Sequence, residues 1–152
     1  MKLSDGLSAD RVKLALSATE KMAAIEELAD IAQLSGRISD RAVFLDALME
    51  RENVQSTGIG HGIAILHARS SIVEGILVCL GLSQTGIAFE SLDGAPVYLI
   101  FLVAAQEDMT APYLSLLSRI SRLISQSDLR QQIMKAQSPQ EVIDLIRSRE
   151  RI

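Results

Sequence analysis

The sequence predicts an α/β fold: a single domain in which a mixed β-sheet is flanked by α-helices on both faces. Short apolar runs rich in β-branched residues are interleaved with longer amphipathic segments, a pattern typical of a sheet covered on both sides. The gap between the second helical segment and the strands after it does not fit a regular βαβ repeat, which favours a mixed sheet over a purely parallel one. The length of 152 residues fits one domain.

The composition limits the classes of function. Hydrophobic residues make up 48% of the chain and aromatic residues only 3%, so the core must be mainly aliphatic. A net charge of −4 argues against a dedicated nucleic-acid binder. The single cysteine, Cys79, lies in an apolar run and is expected to be a buried small hydrophobe, with neither a disulfide framework nor a zinc site. The first 16 residues lack the apolar core of a signal peptide, and no apolar run reaches the ~18 residues of a membrane span. We therefore expect a cytoplasmic protein without membrane insertion.

The first third of the chain predicts one strand and two helices. Residues 1–10 are polar and are expected to form a loop, and residues 12–16 alternate in the manner of a half-buried strand. Ser17 and Glu20 fit a capping box that opens a helix, and Gly36 suits the left-handed position that ends it. Asp40 is the expected cap of the second helix. The charged end of this helix, residues 50–52, is expected to be solvated. Arg51 is the exception, because it leads into a candidate site.

The remaining elements follow in order. A short buried strand at 63–66 is expected to end at His67, with a loop over 68–74. Residues 75–82, 87–89 and 97–103 predict strands, the last of them central because it is apolar on both faces. Loops are expected at 91–94 and 104–111. Pro112 opens a helix with Leu114, Leu117, Ile120 and Ile124 inward and with Arg119 and Arg122 outward. Two further helices begin near Ser127 and Ser138, and the tail 147–151 is expected to be solvated.

The candidate site lies in residues 51–70, which hold both histidines of the chain, His61 and His67. A histidine with a pKa near ~6.5 is mostly neutral at pH 7, so one ring nitrogen is available as a nucleophile while the other needs an acceptor. We expect His61, inside a glycine-rich turn, to be exposed and incidental. A purely structural role for His67 remains an alternative on the pattern alone.

A transferred phosphoryl group needs cations and preorganised donors around its oxygens. Arg51, Arg69, Ser56, Thr57 and the backbone at 58–62 are candidates for these contacts. The glycine pattern matches neither a P-loop nor the dinucleotide fingerprint, and a tight turn explains it equally well. The sequence has no Gly-x-Ser-x-Gly elbow, and its acidic residues lie mainly on helix faces, so hydrolase chemistry has little support.

These residues form a recognisable signature. Arg-Glu at 51–52, Ser-Thr-Gly-Ile-Gly at 56–60 and Gly-Ile-Ala-Ile-Leu-His-Ala-Arg at 62–69 resemble the active site of type-2 EIIA domains. These are the mannitol/fructose-class components, including nitrogen-regulatory proteins, of the bacterial phosphoenolpyruvate-dependent phosphotransferase system. The resemblance covers nearly the whole chain, so residues 1–152 are expected to be one such domain.

The resemblance implies that His67 is phosphorylated by the small carrier HPr or by its nitrogen-branch relative, with Arg51 as the phosphate-facing arginine. The acceptor is then an EIIB domain or, in regulatory members, a target protein that the domain controls. No metal, nucleotide or other cofactor is needed, because the donor is a phosphoprotein. Ile59 and Ile63 are candidates for the docking surface.

Two positions depart from the family pattern. Leu66 stands where the family usually has proline, and Tyr113 stands where it has a second histidine that helps hold the phosphoryl group. A tyrosine can donate a hydrogen bond but cannot carry the imidazolium charge. A regulatory module with weak or no phosphotransfer is therefore the alternative to a phosphocarrier, favoured also because no EIIB or membrane segment is attached. A small-ligand sensor is the third hypothesis.

Overall fold

A central strand organises the sheet in the computed structural model, which describes residues 1–54 and 57–150. The strands are β1 (Val12–Lys13), β2 (Gly58–Gly60), β3 (Ile63–Ser70), β4 (Ile76–Ile87) and β5 (Val97–Gln106). Their order in the sheet is β1-β4-β5-β3-β2. The central strand β5 runs parallel to β3 and antiparallel to β4, whereas β1 is parallel to β4 and β2 antiparallel to β3. The predicted mixed sheet with a central strand at 97–103 is confirmed.

In the part of the chain that the structure describes, six helices flank this sheet. They are α1 (Leu3–Gly6), α2 (Lys21–Gln33), α3 (Arg41–Val54), α4 (Thr110–Ile124), α5 (Ser127–Met134) and α6 (Pro139–Arg149), with a 3-10 turn at Ala9–Arg11. Among the residues that the structure describes, no helix combines the length and the apolar character required to cross a bilayer.

The sheet separates two aliphatic cores, because side chains alternate along each strand. One core packs alternate residues of the strands against α4, α5 and α6, and it includes Ile63, Ile65, Val78, Leu80, Phe101, Val103, Tyr113, Leu116, Ile120, Leu129 and Val142. The other packs the intervening residues against α2 and α3, and it includes Ala64, Leu66, Leu77, Cys79, Ile100, Leu102, Ile25, Leu28, Phe44 and Leu48. The prediction of helices on both faces is confirmed. Cys79 is buried as expected, and this burial raises the pKa of its thiol to about 12.

Several predicted helix ends are confirmed. The Asp40 carboxylate accepts a hydrogen bond from the Val43 amide at 3.2 Å, and the Ser138 hydroxyl accepts one from Glu141 at 3.1 Å. Gly36 adopts the left-handed conformation, with φ +74°, just beyond α2. These side chains satisfy backbone groups that a helix leaves unpaired at its ends.

The N-terminal predictions need correction. Residues 1–10 are not a loop, since they contain α1 and the 3-10 turn, and the strand predicted over 12–16 has only two residues. Helix α2 begins at Lys21 rather than beside Ser17. The amides of Ser17 and Ala18 instead donate to the carboxylate of Glu27, and this holds the segment outside the helix.

The strands are longer than predicted. Pairing between β3 and β5 continues from His67↔Val103 to Ser70↔Gln106, so residues 68–70 and 104–106 are strand rather than loop, and His67 is not at a strand end. Strand β4 continues to Ile87, with an irregularity in its pairing with β5 between Leu82 and Ile87. On α4 the buried face contains Tyr113 and Leu116, whereas Leu114, predicted inward, is 57% exposed.

The C-terminal tail is not fully solvated, because Glu150 is only 6% exposed. Its carboxylate accepts hydrogen bonds from the amides of Leu3 and Ser4, the latter at 2.8 Å. One buried side chain therefore ties the first helix to the end of the last helix.

We expect Glu150→Ala to destabilise the fold by about 1–3 kcal/mol, because it leaves two buried amides of α1 without a partner. Urea unfolding followed by circular dichroism measures the difference. Asp144→Asn is the matched control: Asp144 is exposed on the same helix and pairs only with Arg147 and Gln140 at the surface, so about 0.5 kcal/mol or less is expected. Equal losses in the two variants would contradict the role assigned to Glu150.

Candidate active site

The glycine-rich stretch is a tight β-hairpin between β2 and β3. Gly60 pairs with Ile63, which leaves His61 and Gly62 as a two-residue loop. Both loop residues have positive φ, +58° and +78°, as the twist-matched hairpin turn requires. His61 is exposed at this turn, as expected. The hairpin turn therefore accounts for Gly62.

His67 lies in the middle of β3 and is half-buried. Strand alternation places it on the same face as Ile63 and Ile65, the face covered by α4. Its Nδ1 lies 2.9 Å from the carbonyl oxygen of Ile65, two residues earlier on the same strand. A carbonyl only accepts, so Nδ1 carries the proton and the lone pair of the neutral ring lies on Nε2.

Arg51 contacts that lone pair. It lies in the last turn of α3, and its Nε donates to His67 Nε2 at 3.0 Å. The edge strand β2 pairs with Ile63 and Ala64 of β3, so among the described residues no strand pairs with β3 at His67 on the side opposite β5. The structure thus brings together the two residues that the sequence separates by sixteen positions.

The surroundings lower the pKa of His67 below its usual value near 6.5. Burial, which disfavours the imidazolium, is the largest cause, and the positive charge of Arg51 acts in the same direction. The hydrogen bond to the Ile65 carbonyl and the charge of Glu52 oppose it. The ring is therefore neutral near pH 7, with its nucleophilic lone pair available on Nε2.

Tyr113 and Arg69 lie on the other side of the histidine. Tyr113, in the first turns of α4, is 7% exposed, and its ring centroid is 5.9 Å from that of His67 at an interplanar angle of 56°. The guanidinium carbon of Arg69 is 5.3 Å from the Tyr113 centroid, a cation–π arrangement, and Arg69 also donates to the Thr110 hydroxyl. Burial raises the pKa of Tyr113 to about 12, so its hydroxyl stays protonated and can donate.

Of the two predicted hydroxyl residues, Ser56 and Thr57, the structure describes only Thr57. Ser56 lies outside the described residues. Thr57 is buried, its amide donates to both carboxylate oxygens of Glu52 at 3.1 and 3.2 Å, and its carbonyl accepts from the Ile65 amide. The Thr57 hydroxyl is buried and has no hydrogen-bond partner among the described residues.

Glu52 is the residue that the sequence interpretation missed, because it was assigned to a solvated helix end. It is 5% exposed, and its carboxylate pairs with Lys21 at 2.6 Å while holding the Thr57 amide. The spacing contained the signal: Phe44, Leu48 and Glu52 are four residues apart and share the buried face of α3. Through its contact with the Thr57 amide, Glu52 holds the chain in place directly before β2 begins.

The two predicted docking residues, Ile59 and Ile63, differ in their exposure to solvent. Ile59 is 44% exposed and can contact a partner, whereas Ile63 is 2% exposed and belongs to the core, so its assignment to the surface is wrong. The alternation of buried and exposed residues in the hairpin accounts for the difference.

The assembled site suits a group-transfer reaction on a histidine. A neutral imidazole presents Nε2 to the guanidinium group of Arg51, the Tyr113 ring lies beside that imidazole, and the guanidinium group of Arg69 lies over the Tyr113 ring. Within the described ranges 1–54 and 57–150, no three His, Cys, Asp or Glu side chains come close enough to hold a metal ion.

The chain resembles known proteins over nearly its whole length. A family model described as "Phosphoenolpyruvate-dependent sugar phosphotransferase system, EIIA 2" matches residues 6–149. A "PTS system fructose-specific EIIABC component" of Bacillus subtilis is 37% identical over 96% of this chain, which spans only 23% of that relative's length. A "Nitrogen regulatory protein" of Bradyrhizobium diazoefficiens is 33% identical over 96% of this chain and 95% of the relative. The crystal structure of the nitrogen regulatory protein IIA-Ntr from Neisseria meningitidis superposes with a TM-score of 0.88, at 27% identity, over 94% of this chain and 97% of that one.

We expect nuclear magnetic resonance of the ring nitrogens to find His67 with the proton on Nδ1 and a pKa below ~6.5. Arg51→Gln removes one of the charges that lower this pKa, so the value should rise without fully returning, because burial remains. His67→Gln assigns the resonances. A proton on Nε2 near pH 7, or a pKa of His67 above 6.5, would contradict the geometry.

The same shift predicts a pH dependence of stability. Because the folded-state pKa of His67 is lowered, the unfolded chain binds more protons as the pH falls. This destabilisation is absent above the unfolded pKa of ~6.5, grows as the pH falls toward the folded value, and levels off below it. Relative to His67→Gln, the wild type should lose free energy of unfolding from about pH 6.5 downward. Parallel stability profiles of the two proteins across this range would contradict the prediction.

Proposed function

Because the chain belongs to the EIIA type-2 family of the phosphoenolpyruvate-dependent phosphotransferase system, we propose that it is a phosphocarrier acting through His67. The phosphoryl group comes from HPr or from its nitrogen-branch relative. The observation that carries the proposal is the contact of 3.0 Å between the Arg51 Nε and an unprotonated His67 Nε2. In this contact the nucleophilic lone pair of His67 lies beside a permanent positive charge.

The step is a displacement at phosphorus. The Nε2 lone pair of His67 forms the new P–N bond, while the bond from phosphorus to the donor breaks and its electron pair leaves with the donor. Nδ1 keeps its proton, and the ring becomes a phosphorylated imidazolium whose N–H remains bonded to the Ile65 carbonyl. In the resting site Arg51 occupies the Nε2 lone pair, so it must move aside as phosphorus approaches, and its guanidinium can then contact the phosphoryl oxygens.

Several groups are available to the other phosphoryl oxygens. Arg69 lies against Tyr113 and supplies a second positive charge, and the Tyr113 hydroxyl supplies a donor. The unpartnered hydroxyl of Thr57 is a further candidate, and Ser56 is retained from the sequence pattern. We propose that Arg69 replaces the charge that a histidine at position 113 would carry, which makes phosphorylation compatible with tyrosine there.

The acceptor defines two branches of this proposal. In the sugar branch His67 passes the phosphoryl group to an EIIB domain, in line with the name of the Bacillus relative. In the regulatory branch the phosphorylation state controls binding to a target protein, in line with the name of the Bradyrhizobium relative, which this chain matches end to end. Either role places the chain in the cytoplasm with its phosphodonor. A regulator with weak or no phosphotransfer is the alternative, favoured by Tyr113.

We expect incubation with phosphoenolpyruvate, Enzyme I and HPr, or the nitrogen-branch donor pair, to add one acid-labile phosphoryl group, measured by intact mass. His67→Ala should abolish the adduct. His61→Ala is the matched control, since it removes the chain's other histidine from an exposed turn and should leave the adduct unchanged. The absence of an adduct from folded wild-type protein with either donor would refute the carrier proposal and favour the protein-binding alternative.

Tyr113→Phe tests the phenolic donor. Removing one hydrogen bond to a charged group costs ~1.5–3 kcal/mol, so we expect phosphorylation to slow by roughly tenfold or more. Tyr98→Phe, at the chain's only other tyrosine, should leave the rate unchanged. Rapid-quench measurement of the phosphorylated fraction gives both rates, and equal rates would show that Tyr113 contributes packing alone.

A further inference from the structure

A second cluster of cationic side chains lies away from His67. A cleft of about 180 Å³ opens where α4 and α6 end and α5 begins. It is lined by Arg119, Arg122, Leu123, Gln126, Arg149 and Glu150. None of these residues contacts His67, and Arg119 follows Tyr113 by six residues, roughly 9 Å along the axis of α4.

The positive charge of this cleft is not balanced. Among residues 1–54 and 57–150, neither Arg119 nor Arg122 takes part in a salt bridge. Arg149 pairs with Asp128 at 2.7 Å. The single carboxylate of the lining, Glu150, already accepts the amides of Leu3 and Ser4. With Arg149 paired to Asp128, the unbalanced positive charge of the cleft is that of Arg119 and Arg122, which have no salt-bridge partner among the described residues.

Arg119 has the most unusual environment of the arginines in this cleft. The sequence pattern placed it on the solvated face of α4, but it is half-buried, and its Nε is buried without a hydrogen-bond partner among the described residues. A buried donor left unpaired costs free energy and is rare in folded proteins.

Helix-end electrostatics explain only part of this arrangement. Arg122 and Arg149 lie in the last turns of α4 and α6, where a cation offsets the partial negative charge of the helix end. Arg119 lies before the last turn of α4, and a favourable dipole does not pair its Nε. An oxyanion in the cleft would pair with the guanidinium groups of Arg119 and Arg122 that line it and would relieve their mutual repulsion.

We infer that this cleft is a binding site for a small oxyanion, a phosphate or a carboxylate. The guanidinium fork matches the paired oxygens of both groups. The site is independent of the proposed phosphotransfer, since it shares no residue with the surroundings of His67.

The arginine Nε–Hε resonances of ¹⁵N-labelled protein test the inference. The protein is titrated separately with inorganic phosphate and with citrate, at an ionic strength held constant with sodium chloride, and sodium chloride alone is the third titration. We expect saturable shifts of the Arg119 and Arg122 resonances with one or both anions and a dissociation constant of about 1 mM or tighter. Comparison of the phosphate and citrate titrations identifies the preferred anion.

Variants separate specific binding from general charge. Arg119→Gln and Arg122→Gln should each weaken binding at least tenfold, and Arg122 is exposed, so its replacement should not affect folding. Arg147→Gln is the matched control, because Arg147 lies on α6 outside the cleft and pairs with Asp144. The inference is overturned if the shifts do not saturate, if Arg147→Gln weakens binding as much as Arg122→Gln, or if only the Arg51 and Arg69 resonances respond.

Discussion

Eight consecutive residue pairs join β3 to β5 in parallel, from Ile63↔Leu99 to Ser70↔Gln106, and the geometry of the site depends on them. Because β5 is buried on both faces, its register determines which side of β3 each residue faces. His67 is thereby directed to the face that α4 covers, where Tyr113 lies. The pairing also keeps β3 regular at Ile65, whose carbonyl fixes the histidine tautomer. A shift of one residue would turn His67 into the opposite core.

Arg51 makes one observed contact and has one proposed role, and the two cannot occur at once. In the resting site it donates to the same lone pair that must attack phosphorus, and so it stabilises the unreacted histidine. In the proposed transfer it must exchange that contact for the phosphoryl oxygens. The exchange requires a small movement of one side chain held on the last turn of a helix. Glu52, the next residue, is buried and paired with Lys21, so the backbone that supports this movement is anchored.

The sequence was most informative where a signal was local. The cap at Asp40, the turn at Gly36 and the apolar run of β5 depend on neighbouring residues, and they lie where they were expected. The pattern at 51–69 also identified the residues that the fold brings together around His67. The extension of β3 through polar residues 68–70 was not visible, because it comes from pairing with a strand more than thirty positions away.

Buried charges account for two further misses, those at Glu52 and Glu150. Glu150 is buried because its partners, Leu3 and Ser4, lie at the opposite end of the chain. Arg11 is likewise buried, since its guanidinium donates to the carbonyls of Gly6 and Val78. No local pattern reveals partners at such distances, and a charged residue in a polar segment is normally solvated. Glu52 is the exception, because its four-residue spacing from Leu48 was readable.

Tyr113 also determines how the site responds to acidity. With a pKa raised to about 12, the phenol is neutral wherever the protein is folded and active, and the two neighbouring arginines stay charged. A histidine at that position would change its charge in the same pH range as His67. Here His67 is the one titrating group among the four side chains, Arg51, His67, Arg69 and Tyr113. In the proposed carrier, phosphorylation of His67 is therefore the main event that changes the charge of these four side chains, and a partner that senses this charge would read the phosphorylation state with little interference from small changes in pH.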